Sequence, residues 1–300
     1  MKKIITDFNG IFLDSEFAKT LRWYLTACYF SKKYSPINKE FITNIYKGEG
    51  YEKLYREILQ NPIHQKNLRY CFRFIGDPRG EFAKNVAKKF WKRKINSYEL
   101  KEFIQFGSKL DNTLMGWFCR PIFNNLEFFY SFQKLVTKIY KEKNSIGIIT
   151  MTTSKNFLSF INAGKKFWKN YEKFVKSFSS KDQKGKLKFV ECGGDYPDDC
   201  KKSKTDKKSE IYKKLLKKLK IKPEETIVFE DTPSGCLAAR KAGFPFVLGI
   251  INQKFYFQKH PYCSILIKRD LKKLRKYVRL FVLYSPEQVI KHLKSENLNL

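Results

Sequence analysis

The strongest constraint on this chain is a rhythm of short apolar runs separated by stretches of helical periodicity. Ile4-Ile5 leads into Asp7. Ser145–Thr150 reads SIGIIT, Leu187–Cys192 and Thr226–Phe229 follow, then Phe246–Ile250, with Ser264–Ile267 as a candidate last run. Strands alternating with helices predict a parallel, doubly wound α/β sheet. In open sheets of that kind, ligands bind outside the carboxyl ends of the strands. Asp7, Thr150 and the pair Glu230-Asp231 all fall at such ends.

The rhythm is interrupted once, early. From 15 to 117 the pattern is helical: Leu21, Tyr24, Leu25 and Cys28 recur at helical spacing, a second helix passes through Phe41 and Ile45, and Tyr51–Leu59 reads as a third. Residues 60–80 carry no clear pattern beyond a loop at Gly76-Asp77-Pro78. Glu81–Lys94 is a basic amphipathic helix, and Asn96 with Glu99 has the spacing of a capping pair for a helix through Phe106. The predicted organisation is an α/β core of residues 1–14 plus 118–300, with a helical domain, 15–117, inserted after the first strand. Within the core, Leu126–Tyr140 reads as a helix. The stripe from Phe157 to Phe178 reads as a core helix broken near Gly164, and 193–208 as a polar, lysine-rich loop before a helix at Ile211–Leu219. The basic run 268–279 reads as a solvated face.

Three hundred residues with 42% hydrophobic content describe a folded chain with real cores, not a disordered one. MKKIITDFNG lacks the apolar stretch of a signal peptide, and no run approaches a membrane span, so a cytoplasmic protein is expected. The seven cysteines are scattered, without Cys-x-x-Cys spacing, and predict free thiols. The net charge of +32 favours anionic, phosphate-bearing ligands. It rests overwhelmingly on lysine in a chain also rich in Phe, Ile, Asn and Tyr, so a specific nucleic-acid partner is not the primary expectation.

The chemistry-bearing residues form an order along the chain. Asp7 ends a strand and is followed by Gly10, a turn that presents its carboxylate at the sheet edge. Glu230-Asp231 places two adjacent acids at the end of TIVF, where they repel unless a cation lies between them or one faces water; a hard ion such as Mg²⁺ is the natural answer. Small residues (Gly235, Ala238, Ala239, Ala242) then let the next helix pack closely on the sheet.

KIITDFNGIFLDSE resembles the first motif of the haloacid dehalogenase superfamily, Asp-x-Asp-Gly-Thr followed by Asp-Ser-Glu. IVFEDTPSGCLAARKAGF closely resembles that superfamily's fourth motif. The layout is most similar to the branch of β-phosphoglucomutase and phosphoglycolate phosphatase, in which the helical insertion is a cap. The resemblance implies a Mg²⁺-dependent phosphatase of a small phosphorylated metabolite, working through an aspartyl-phosphate intermediate. It makes Asp7 the nucleophile and Thr150 a hydroxyl donor to the phosphate, with Thr152 close enough to leave the register open. It asks for a lysine in the loop before Ile211; Lys207 and Lys208 fit, Lys204 less well, and the usual Lys-Pro-x-Pro signature is absent. It assigns Asp7, the Asn9 carbonyl, Glu230 and Asp231 to the metal, and Lys47, before the Gly48 turn, to the substrate.

One departure matters. The family's second aspartate is Asn9, which keeps a backbone carbonyl for the metal but cannot transfer a proton. That implies a slowed or lost phosphatase activity, and leaves as the alternative a catalytically weak relative that binds a phospho-ligand or a polyanion such as nucleic acid.

Overall fold

The computed structural model describes residues 3–8, 16–31, 39–46, 60–72, 79–91, 95–118, 146–167, 178–196, 203–251 and 280–282, with isolated positions 53, 56, 57, 74, 291 and 295. The chain divides into two compact units. One comprises Met1–Asp14, Cys119–Lys259 and Ile267–Leu300; the other comprises Ser15–Phe118 and His260–Leu266.

The first unit is an all-parallel sheet. Its strands are β1 (Lys3–Asp7), β2 (Ile146–Thr150), β3 (Val190–Cys192), β4 (Thr226–Glu230), β5 (Phe246–Ile251) and β6 (Leu280–Val282), in the order β3-β2-β1-β4-β5-β6. Successive strands run outward from β1 to one side, and the chain then crosses back to β4 on the other. The switch point between β1 and β4 opens a crevice at their carboxyl ends. Register brings the polar termini together: Asp7 pairs with Ile149, one residue before Thr150, and Thr6 pairs with Phe229, one residue before Glu230. Ile5, Ile149 and Val228 are buried with Leu215, Ala238, Ala239 and Val247 in a common core, which explains why these strands read as apolar runs without alternation. The doubly wound parallel sheet predicted from the sequence is the architecture observed.

Three helices of this unit are α6 (Ser154–Phe167), α7 (Lys204–Leu219) and α8 (Pro233–Lys241), numbered after five helices of the other unit. Several local expectations need correction. Helix α6 runs through Gly164 without a break there. Helix α7 begins at Lys204, seven residues before Ile211, so the expected loop 193–208 ends in helix. Ser203 caps it, its Oγ accepting from the Asp206 amide at 3.2 Å; the Ser-x-x-Asp spacing is a start signal hidden among lysines. Strand β3 is shorter than Leu187–Cys192, because Leu187 instead bridges back to Lys181. The sixth strand is Leu280–Val282; Ser264–Ile267, the run 268–279 and the helix expected at Leu126–Tyr140 lie outside the described residues.

The second unit is helical: α1 (Glu16–Phe30), α2 (Lys39–Tyr46), α3 (Pro62–Phe72), α4 (Arg79–Trp91) and α5 (Ser97–Phe118). The stretch 60–80 without a sequence pattern contains α3. Helix α5 extends twelve residues past Phe106, and the helix expected at Tyr51–Leu59 lies largely outside the described residues. The Asn96/Glu99 pair forms a reciprocal capping box, each backbone amide bonded to the other's side chain at 3.0 and 2.8 Å. Trp23 stacks on Phe103 at 5.6 Å between centroids, and Gly107 admits the indole edge where any Cβ would lie 2.7 Å from it. Among the described residues, no helix is long and apolar enough to cross a membrane.

Candidate active site

Strand β1 delivers Asp7 to the sheet edge almost buried, at 6% exposure. Its Oδ1 accepts from the Phe8 amide at 2.8 Å, and its Oδ2 accepts from Lys208 Nζ at 2.7 Å. Phe8 is itself anchored edge-on against Phe157 of α6 at 4.8 Å. The strand end is therefore pinned on both sides of the carboxylate.

Lys208 stands in the first turns of α7 and reaches across the crevice. Its Nζ lies 2.7 Å from Asp7 Oδ2 and also 2.7 Å from Glu230 Oε1. Of the lysines the sequence left open, Lys208 meets two carboxylates; the side chain of Lys204 lies outside those described. Lys207, one residue before Lys208, is half-buried. Burial opposes the charge on Lys208, but Asp7, Glu230 and Asp231 together outweigh it and hold the ammonium well above its ordinary range. It stays charged at any physiological pH.

Glu230 is fully buried. Its Oε1 receives both Lys208 and the Tyr212 hydroxyl, the latter at 2.5 Å. Its Oε2 has no hydrogen-bond partner among the described residues and rests against the backbone of Gly235. A Cβ on Gly235 would sit 1.9 Å from that oxygen, so any side chain there would force this carboxylate to move. Thr232 caps α8 by accepting from the Gly235 amide at 3.2 Å, which sets the turn that carries Asp231. Tyr212 escaped the sequence reading because it sits within an apolar helical stripe; the available signal was its i+4 spacing from Lys208.

Asp7, Glu230 and Asp231 each offer an oxygen within 4.8 Å of the others. Three carboxylates gather here, and among the described residues Lys208 lies against two of them, a concentration of negative charge in a largely buried place. The consequence is visible at Glu230. Burial pushes its carboxyl up from 4.5, Lys208 pulls against that, Asp7 adds to it, and the result is about 7. An all-oxygen donor set with surplus negative charge and an orphaned carboxylate oxygen fits a hard divalent cation such as Mg²⁺.

This has a measurable consequence without any ion. A carboxyl whose folded value is raised binds more protons folded than unfolded between 4.5 and about 7. Its contribution to stability is complete below pH 4.5 and is lost as pH rises through 7, with a slope of at most about 1.4 kcal/mol per pH unit and a total on the order of 3 kcal/mol. Glu230→Gln keeps the shape and removes the titration. Denaturant melts of the two proteins in chelator are therefore expected to converge at acid pH and separate toward neutrality in favour of the variant. Parallel curves across that range contradict the assignment.

Thr150, fully buried, ends β2 beside Asp7, and its Oγ1 accepts from the Thr152 amide at 3.3 Å; Thr152 is half-buried. The β2 register thus brings Thr150 alongside the carboxylate cluster, with Thr152 two residues beyond the strand end. Asn9 and Lys47 lie outside the described residues.

A central parallel sheet with a carboxylate, a lysine and an acidic pair gathered at its switch point defines a Rossmann-like α/β protein with a polar site at the strand edge. Residues 169–248 match the family model described as haloacid dehalogenase-like hydrolase. Over 57 residues the chain is 39% identical to "Phosphorylated carbohydrates phosphatase" of Thermotoga maritima; the match takes in 19% of this chain and 26% of that protein. The chain therefore spans about a quarter of the length of that curated relative. Among solved structures, a "HAD hydrolase, family IA, variant 3" from Entamoeba histolytica superposes with a TM-score of 0.54 at 18% identity, covering 98% of this chain and 100% of that one. The β-phosphoglucomutase of Clostridium difficile superposes with a TM-score of 0.53 at 16% identity, covering 100% of both. At those identities the structures speak for a shared fold. The family match itself is confined to residues 169–248.

Proposed function

We propose that the protein is a Mg²⁺-dependent phosphatase of a small phosphorylated metabolite, with the helical unit as its cap. One observation carries the reading: Lys208 Nζ lies 2.7 Å from both Asp7 and Glu230, in a cluster with Asp231. A lysine shared between two carboxylates partly shields Asp7, as an attacking group facing an anionic ester requires. The name of the Thermotoga relative suggests a phosphorylated carbohydrate as substrate.

In this reading, Asp7 attacks phosphorus, the bond to the ester oxygen breaks, and the alcohol leaves with a proton drawn from solvent. Water then attacks the aspartyl phosphate and returns the free carboxylate and orthophosphate. Lys208 and Thr150 hold phosphate oxygens, with Thr152 a further contact at the strand end, and Lys207 belongs to the basic approach. Asp7, Asp231, Glu230 and the Asn9 carbonyl would hold the ion. When bound, Mg²⁺ supplies charge neutralisation to the transferring group. Lys47 on the cap is a substrate contact. Asn9 favours a second reading, in which the site binds a phospho-ligand and turns it over slowly or not at all.

The test is hydrolysis of an aryl phosphate by the purified chain. Turnover is expected with Mg²⁺, falling to background with chelator and returning when the ion is restored. No turnover with Mg²⁺, together with salt-sensitive binding of RNA or DNA, would sink the enzyme reading.

A further inference from the structure

Glu230 Oε1 is shared by two donors from one helix. Lys208 and Tyr212 stand four residues apart on α7, so their side chains lie on the same face, and both end on that single oxygen, at 2.7 and 2.5 Å. The opposite oxygen occupies the space that a Cβ on Gly235 would fill. The carboxylate is thus held at one oxygen by a phenol and an ammonium, over a glycine that leaves room for the other.

The tyrosine ring is fixed as well. Tyr212 is completely buried and meets Phe244 edge-on at 5.3 Å, inside the core of the sheet unit. Phenylalanine would fill that space equally well. The hydroxyl must be hydrogen-bonded to be tolerated there, and its partner is the carboxylate that holds Lys208.

We propose that Tyr212 is a positioning residue for the phosphate-holding lysine: by clamping Glu230 it fixes Lys208 Nζ across Asp7 and Glu230. Among the described residues two of the three ammonium donors are then engaged, and the third is left for an anion at a defined place. Without the clamp, the glutamate turns about its terminal torsion and the lysine follows it. The inference rests on the proposed reading of Lys208 as the phosphate-binding lysine.

Orthophosphate and Mg²⁺ are the probes. Isothermal titration of the full chain measures Mg²⁺ affinity alone, and then orthophosphate affinity at saturating Mg²⁺. The wild type is expected to bind orthophosphate and Lys208→Met to lose that binding. Tyr212→Phe is expected to weaken orthophosphate about tenfold, with a smaller loss of Mg²⁺ affinity because Glu230 also stands in the proposed ion site. In a Glu230→Gln background, Tyr212→Phe should cost less than about twofold more, since its action passes through that carboxylate. Unchanged orthophosphate affinity in Tyr212→Phe, an equal loss for both ligands, or additive losses with Glu230→Gln would each overturn the proposal while leaving the phosphatase reading standing. A wild type that binds no orthophosphate overturns both.

Discussion

Asp7→Asn is expected to reduce aryl phosphate turnover to background, a fall of about 10⁴-fold or more when measured in the most active background. The substitution is nearly isosteric. It keeps the oxygen that accepts from the Phe8 amide and leaves Lys208 its second partner, Glu230 Oε1. The fold is therefore expected to survive, and near-ultraviolet circular dichroism should match the wild type. What disappears is the charge and nucleophilicity of the carboxylate that Lys208 touches at 2.7 Å. Retention of more than a tenth of the activity would remove Asp7 from the role of nucleophile.

The reverse change is expected at Asn9. Asn9→Asp supplies the missing proton-transfer group and should raise turnover of an alkyl phosphate by about 10²–10⁴-fold, the usual worth of a placed general acid. An aryl leaving group is already stable as an anion and needs little help, so its rate should rise much less. That difference between substrates is the diagnostic. Equal gains on both would mean that Asn9 limits something other than departure of the alcohol. No gain on either would locate the defect elsewhere in the site.

The two variants probe what the sequence made legible. Asp7 and Glu230-Asp231 could be found because each ends an apolar run, and such runs are local: a few adjacent side chains buried on both faces of a strand. The acidic pair with its following small residues was equally readable, since Gly235 and the alanines answer to contacts within one strand-turn-helix. The start of α7 was written in Ser203 and Asp206 but masked by the lysines around them, and α3 lacked a clear stripe altogether.

The choice among lysines was of another kind. Lys204, Lys207 and Lys208 are alike in composition and neighbourhood, and nothing local separates them. Lys208 is set apart by a bond to a residue 201 positions away, formed because parallel pairing lays β1 beside β4 and the Lys208 side chain, from the first turns of α7, reaches the acids at both strand ends. Tyr212 reads as one more apolar position in a helix until the tertiary structure puts a buried carboxylate 2.5 Å from its hydroxyl. By itself, then, the sequence determined the parallel α/β order and the acidic residues at its strand ends, because these depend on short-range periodicity. Which cation and which phenol those acids meet was decided only by packing, because a buried charge is partnered by whatever the fold brings within hydrogen-bonding distance.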